Sequence, residues 1–127
     1  MSSVLDASAV LALMFGEPGT ERVQDAIDDG AVISAVNVTE VMSRQIDRGV
    51  PPPEARLNVQ DLGLHVVPFD EDLAYRAALL RAATRSAGLS LGDRACLALA
   101  ERMAVPAITA DRAWSGLNLG MQIDTIR

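Results

Sequence analysis

The sequence predicts an α/β domain whose mostly parallel sheet of four to five strands is covered by helices on both faces. Short apolar runs of strand length alternate with segments of helical period along nearly the whole chain. The segments between them are long enough for right-handed crossovers, the connection that joins parallel strands. The 127 residues, half of them apolar, also suffice for one buried core without disulfides or a structural metal.

In chain order, VLD (4–6) ends a first strand, and a helix over ASAVLALMF follows until EPG stops it. A second helix covers roughly Thr20 to Asp29, and AVISA (31–35) reads as the second strand. Helices follow at about Val38–Arg48 and Pro53–Leu62, the latter entered through the turn VPPPEA with Pro near its first position. LHVVPF (64–69) is a third strand. Asp70–Ala87 reads as one long Ala/Leu/Arg helix closed by Gly88. A helix from Ser90, the strand VPAIT (105–109) and a last strand near MQIDTI complete the pattern. No repeat, low-complexity tract or linker divides the chain, so one domain over 1–127 is expected.

Charge and composition narrow the function classes. The net charge of −6 argues against a general nucleic-acid binder. Its distribution is uneven: residues 1–75 carry 13 acids against 4 arginines, and residues 76–112 carry 6 arginines against 3 acids. Every basic residue is Arg, a side chain suited to bidentate phosphate contacts, although a bias in the source genome accounts for missing Lys equally well. The single cysteine excludes an internal disulfide framework. The apolar N-terminus is interrupted by Asp6 and has no basic residue before Arg22, unlike a signal peptide, and no apolar run is long enough to span a bilayer. A cytoplasmic protein without membrane contact is expected.

In a parallel sheet, ligands bind outside the carboxyl ends of the strands. Asp6 and Asp111 immediately follow the first and fourth predicted strands, while Glu40 and Asp93 lie near the starts of two helices. Each acid alone has a sufficient structural explanation. Asp6 and Asp111 are good N-caps, and Asn37/Glu40 and Ser90/Asp93 have capping-box spacing. Glu40 and Arg44 could form a solvated i,i+4 pair. Asp93 fits least well, because at 100° per residue it falls beside Cys96, Leu97 and Ala100, while Arg94, Glu101 and Arg102 share another side. Together, four carboxylates at one sheet edge would repel one another unless a cation neutralised them. Oxygen ligands without a Cys/His cluster suit Mg²⁺ or Mn²⁺ rather than zinc. His65 sits on a strand away from that edge, and Cys96 reads as a small core residue.

The elements LDASAVLAL, NVTEVMSR, LSLGDRACLALAERMAVPAITADRAW and QIDTIR resemble the PIN-domain ribonucleases, and most of all the VapC-type toxins of bacterial toxin–antitoxin pairs. The resemblance runs from about residue 4 to residue 126. Its most specific part is the block holding Asp93 and Asp111, 18 positions apart around a helix and a strand. It implies a PIN-like three-layer α/β/α sandwich and a metal-dependent endoribonuclease. Asp6, Glu40, Asp93 and Asp111 match the family's acidic, metal-holding positions, with one or two Mg²⁺ or Mn²⁺ ions as cofactor. Ser8 and Thr109 match hydroxyl positions that support them by hydrogen bonds. Some relatives carry a further acid after the last Asp, where this chain reads RAW with Trp114.

The implied chemistry is in-line attack of an activated water on a phosphodiester, leaving 5′-phosphate and 3′-hydroxyl ends. The substrate would be cellular RNA, whose cleavage stops translation and growth. Arg85, Arg94 and Arg112, with Arg76 and Arg81 behind them, are the candidate phosphate contacts. The four aromatics Phe15, Phe69, Tyr75 and Trp114 offer no base-stacking platform. The resemblance further implies a VapB-type antitoxin partner and a homodimer. Competing classes fare worse. There is no P-loop motif, and the phosphoaspartate folds use a lysine that this chain lacks. A catalytically silent PIN-like module binding RNA or protein is the remaining alternative.

Overall fold

Adjacent residues on three strands divide the interior in two. Val4, Val32 and Ala107 belong to one buried cluster, and their neighbours Leu5, Ile33 and Ile108 to another. The two-residue period of a strand requires this alternation. The computed structural model, which describes residues 2–127, therefore has apolar layers on both faces of a single sheet. Its strands are β1 (Val4–Leu5), β2 (Val32–Ser34), β3 (His65–Val67), β4 (Ala107–Thr109) and β5 (Ile123–Thr125). They run in the order β3-β2-β1-β4-β5, and every neighbouring pair is parallel.

Four helices contribute to the Leu5 side: α1 (Ala7–Phe15), α2 (Thr20–Asp28), α3 (Ala35–Asp47) and α4 (Pro52–Gln60), through Val10, Val23, Val41 and Val59. The Val4 side is covered by α5 (Glu71–Leu79) and α7 (Leu91–Met103), with short α6 (Arg81–Thr84) after α5. Leu5, Ile33, Leu97, Leu99 and Ile108 are fully buried, each contributing about 2 kcal/mol of transfer free energy. The expected three-layer α/β/α sandwich is what forms. Among the described residues no helix is long and apolar enough to cross a membrane.

Local chemistry sets the boundaries. Asp6 caps α1 by accepting the Ala9 amide, and Gly16 ends it in the left-handed region at φ 66°, letting the Glu17 amide return to the Ala12 carbonyl. Helix α3 starts at Ala35, three residues earlier than the expected Val38. Ser34, the last residue of β2, is its N-cap and accepts the Val36 amide. Asn37 is thereby inside the helix, and no capping box forms between it and Glu40.

The expected single helix over Asp70–Ala87 is instead α5, α6 and a 3₁₀ turn (Arg85–Ala87), with Gly88 closing it as expected. The break falls at Leu80, whose ψ of −12° opens the turn. The Arg94 guanidinium reaches across from α7 and donates to the Ala77 carbonyl at 2.9 Å. In a continuous helix that carbonyl would accept the amide of residue 81. Arg94 is therefore buried, not on the solvent side with Glu101 and Arg102.

Candidate metal-binding active site

Parallel strands end together, so whatever follows β1 and β4 meets at the carboxyl edge of the sheet. The chain order reverses between these two strands, which makes their junction the topological switch point. Asp6 follows β1 directly, and Asp111 stands two residues beyond β4. Helices α3 and α7 bring Glu40 and Asp93 to the same place. All four acids line one cleft of about 220 Å³, together with Ala7, Ser8, Leu11 and Arg44.

Asp6 is the most tightly built of the four. It is 3% exposed, and its carboxylate accepts the Ala9 amide at 2.8 Å, the Thr109 hydroxyl at 2.6 Å and the Ser8 hydroxyl at 2.8 Å. The two hydroxyls are themselves held: Ser8 Oγ accepts the Ala110 amide at 2.9 Å and Thr109 Oγ1 the Asp111 amide at 3.0 Å. Backbone at the end of β4 thus orients two hydroxyls, which orient Asp6. Burial pushes the Asp6 carboxyl up from 3.8 to about 6, and nearby Asp93 adds to the rise, against the lowering effect of Thr109, Ala9 and Ser8.

Asp93 and Asp111 keep their capping roles while facing the cleft. Asp93 forms a capping box with Ser90, accepting the Ser90 amide at 2.9 Å, and is partly exposed rather than buried in the apolar layer. Asp111 caps a 3₁₀ turn (Arg112–Gly116) by accepting the Ala113 amide at 2.9 Å. Structural and site-lining roles coexist in both residues.

Glu40 is held by two features that sequence spacing does not display. Asn37, 1% exposed, donates from Nδ2 to Glu40 Oε1 at 2.7 Å and to the Gly92 carbonyl at 3.0 Å. The Glu40 carboxylate occupies the space that a side chain at position 92 would fill: a Cβ there would fall 2.5 Å from Glu40 Cδ. Burial raises the Glu40 carboxyl above its usual range, the Asn37 bond lowers it, and Asp93 raises it further. Asn37 and Gly92 had only their nearness to Glu40 and Asp93 as a sequence signal.

The lining donors are carboxylate and hydroxyl oxygens. Cys96 is fully buried in the core, and His65 lies on edge strand β3. That donor chemistry fits a hard divalent cation such as Mg²⁺ or Mn²⁺. The side chains line the cleft without converging: among the described residues no three form a preassembled metal cage. Of the arginines expected to meet phosphate, Arg94 is committed to the Ala77 carbonyl and buried, which removes it from that role. Arg112 donates to the Arg127 carbonyl at 3.1 Å and is exposed, as is Arg85. A larger cleft of about 630 Å³ lies at the opposite, amino edge of the sheet, where Arg22 already neutralises Asp124 at 3.1 Å.

A five-stranded parallel sandwich with four carboxylates gathered at its switch point defines an α/β protein built around an acidic, oxygen-lined cleft. The chain belongs to the PIN-domain family, whose model matches residues 3–118. Its fold is similar to that of a DNA-bound VapBC complex from Salmonella typhimurium, at TM-score 0.76 and 15% identity, covering 100% of this chain and 99% of that one. It is also similar to a toxin–antitoxin complex from Klebsiella pneumoniae, at TM-score 0.73 and 19% identity, with 98% of both chains covered. A third similar structure is VapC20 of Mycobacterium tuberculosis, a toxin that cleaves the sarcin–ricin loop, at TM-score 0.74 and 16% identity, covering 91% of this chain and 96% of that one. Comparison with curated proteins found no match.

Proposed function

We propose that this PIN-domain protein is a divalent-metal-dependent endoribonuclease and the toxin of a VapBC-type pair. The observation that carries the reading is the meeting of Asp6, Glu40, Asp93 and Asp111 in one cleft at the switch point. These four residues would hold Mg²⁺ or Mn²⁺, as one or two ions. When bound, such an ion supplies positive charge to the scissile phosphate and makes a water acidic enough to attack at neutral pH.

The chain's own groups prepare that chemistry. Ser8 and Thr109 fix both Asp6 oxygens, so a ligating carboxylate is oriented before anything binds. Asn37 fixes Glu40, and Ser90 fixes Asp93. Burial, and to a lesser extent nearby Asp93, raises the Asp6 carboxyl, and a bound cation would stabilise its ionised form. Arg85 and Arg112, both exposed, serve as outer phosphate contacts.

The similar structures from Salmonella and Klebsiella are complexes with an antitoxin, and the VapC20 relative is an RNA-cleaving toxin. Those likenesses support a VapB-type antitoxin partner and RNA as substrate, and the same proposal takes in a homodimeric toxin, arrest of translation as outcome and the cytoplasm as place of action. Purified protein should cleave RNA with Mg²⁺ or Mn²⁺ and stop doing so with EDTA or as Asp93→Asn. Cleavage that survives both treatments refutes the metal-dependent reading. Binding of RNA or protein without metal-dependent products would establish the silent-module alternative.

A further inference from the structure

Arg44 stands four residues after Glu40 on α3, the spacing at which opposite charges pair along a helix. No such pair forms. The Glu40 carboxylate is turned to Asn37, at 2.7 Å, and rests in the space left by Gly92. Arg44 is exposed, lines the carboxylate cleft, and has no hydrogen-bond or ion-pair partner among the described residues. It is also the one cationic side chain lining that cleft among the described residues.

Several other arginines are engaged elsewhere. Arg76 and Arg102 are tied to Asp72, Glu101 and Asp70, Arg22 to Asp124, and Arg48 stacks on the Phe15 ring at 3.8 Å. A free guanidinium at the rim of an anionic cleft does not serve the carboxylates, which it leaves unpaired. Its fork of donors matches a phosphate.

We infer that Arg44 is a phosphodiester-binding residue at the mouth of this cleft, and that Asn37 is the positioning residue that keeps it available by holding Glu40 away from it. The inference rests on the proposed ribonuclease reading and names its substrate contact. An RNA phosphate reaching the four acids meets, in Arg44, the one cationic side chain lining their cleft among the described residues, and that charge offsets their repulsion. Asn37 removes the competing intramolecular partner. Without that bond, Glu40 is free to swing to Arg44 and quench it.

The test uses the full chain, a labelled single-stranded RNA pool with Mn²⁺ for cleavage kinetics, and calorimetry with Mn²⁺ alone. Arg44→Ala should lower kcat/KM by about tenfold to a hundredfold, the scale of a lost charge-assisted hydrogen bond, chiefly through KM. It should reduce the salt slope of RNA binding by about 1. Mn²⁺ affinity should be unchanged or tighter, because a positive charge has left the cleft. Arg44→Lys should recover part of the loss. Asn37→Ala should lower kcat through Glu40 in both backgrounds, but should raise KM only in the wild-type background and leave KM unaltered in the Arg44→Ala background. Equal kcat/KM for Arg44→Ala and wild type, weakened Mn²⁺ binding in Arg44→Ala, or additive effects of the two substitutions on KM would each overturn the assignment while leaving the nuclease reading intact. A folded wild-type chain that neither cleaves RNA nor binds Mn²⁺ overturns the nuclease reading, and the Arg44 role with it.

Discussion

Replacing Asp6 with Asn should abolish activity and yet make the metal-free protein more stable. Asp6 is 3% exposed and its carboxyl is raised from 3.8 to about 6, first because burial disfavours the anion. Between those two values the folded chain keeps a proton that the unfolded chain releases. Metal-free stability therefore falls as pH rises from about 4 to about 6, and the loss is complete above that window. Two pK units correspond to about 3 kcal/mol. Asn escapes this cost but puts an NH₂ group where an oxygen accepted from Thr109 or Ser8, at 2.6 and 2.9 Å. Hydroxyls can rotate to accept instead, so the loss is about 1–2 kcal/mol. The net gain at pH 7 is about 1–2 kcal/mol, or roughly 4–8 °C in Tm for a chain of this size. Thermal melts in EDTA at pH 4 and pH 7 measure it. The two proteins should differ most at pH 7, and the advantage of Asp6→Asn should shrink or reverse at pH 4. With Mn²⁺ in excess the order at pH 7 should invert, because only the wild type gains binding free energy. A less stable Asp6→Asn protein at pH 7 in EDTA, or a pH-independent difference, would mean that the buried Asp6 charge does not destabilise the metal-free fold.

Two further substitutions separate site from scaffold. Gly92→Ala gains up to about 1 kcal/mol of helix propensity but drives a Cβ into the Glu40 carboxylate, so RNA cleavage should fall at least about tenfold with little change in Tm. Cleavage at the wild-type rate would mean that the Glu40 position is immaterial. Arg94→Ala removes a buried stem and the donor to the Ala77 carbonyl, and should cost about 2–3 kcal/mol in urea unfolding. Its RNA affinity per folded molecule should stay at the wild-type value, whereas a phosphate contact would lose affinity and little stability.

The order of elements was legible because short strands, caps and stop signals coincide in this sequence. Asp6 and Gly16 bracket α1, and Ser90 with Asp93 opens α7, as local rules require. Where the reading failed, either a nearer cap or a contact from elsewhere in the fold decided the outcome. The start of α3 shifts because Ser34 ends β2 and caps the helix at once. The long helix after Asp70 breaks where Arg94 intrudes, and an arginine looks polar in any helical projection whether or not a carbonyl awaits it inside. The four acids were readable from their places after strands and near helix starts. Asn37, Gly92 and the unpaired state of Arg44 were not, because each depends on α3 meeting α7 across the cleft.

The four acids at the switch point form, in this reading, one divalent-cation site. Anomalous diffraction from crystals of the protein soaked in Mn²⁺ tests it most directly. One or two peaks should lie in the cleft bounded by Asp6, Glu40, Asp93 and Asp111, and Asp93→Asn should diminish them. No peak there, or peaks confined to Asp25, Asp28 and Asp29 at the opposite edge of the sheet, would contradict it.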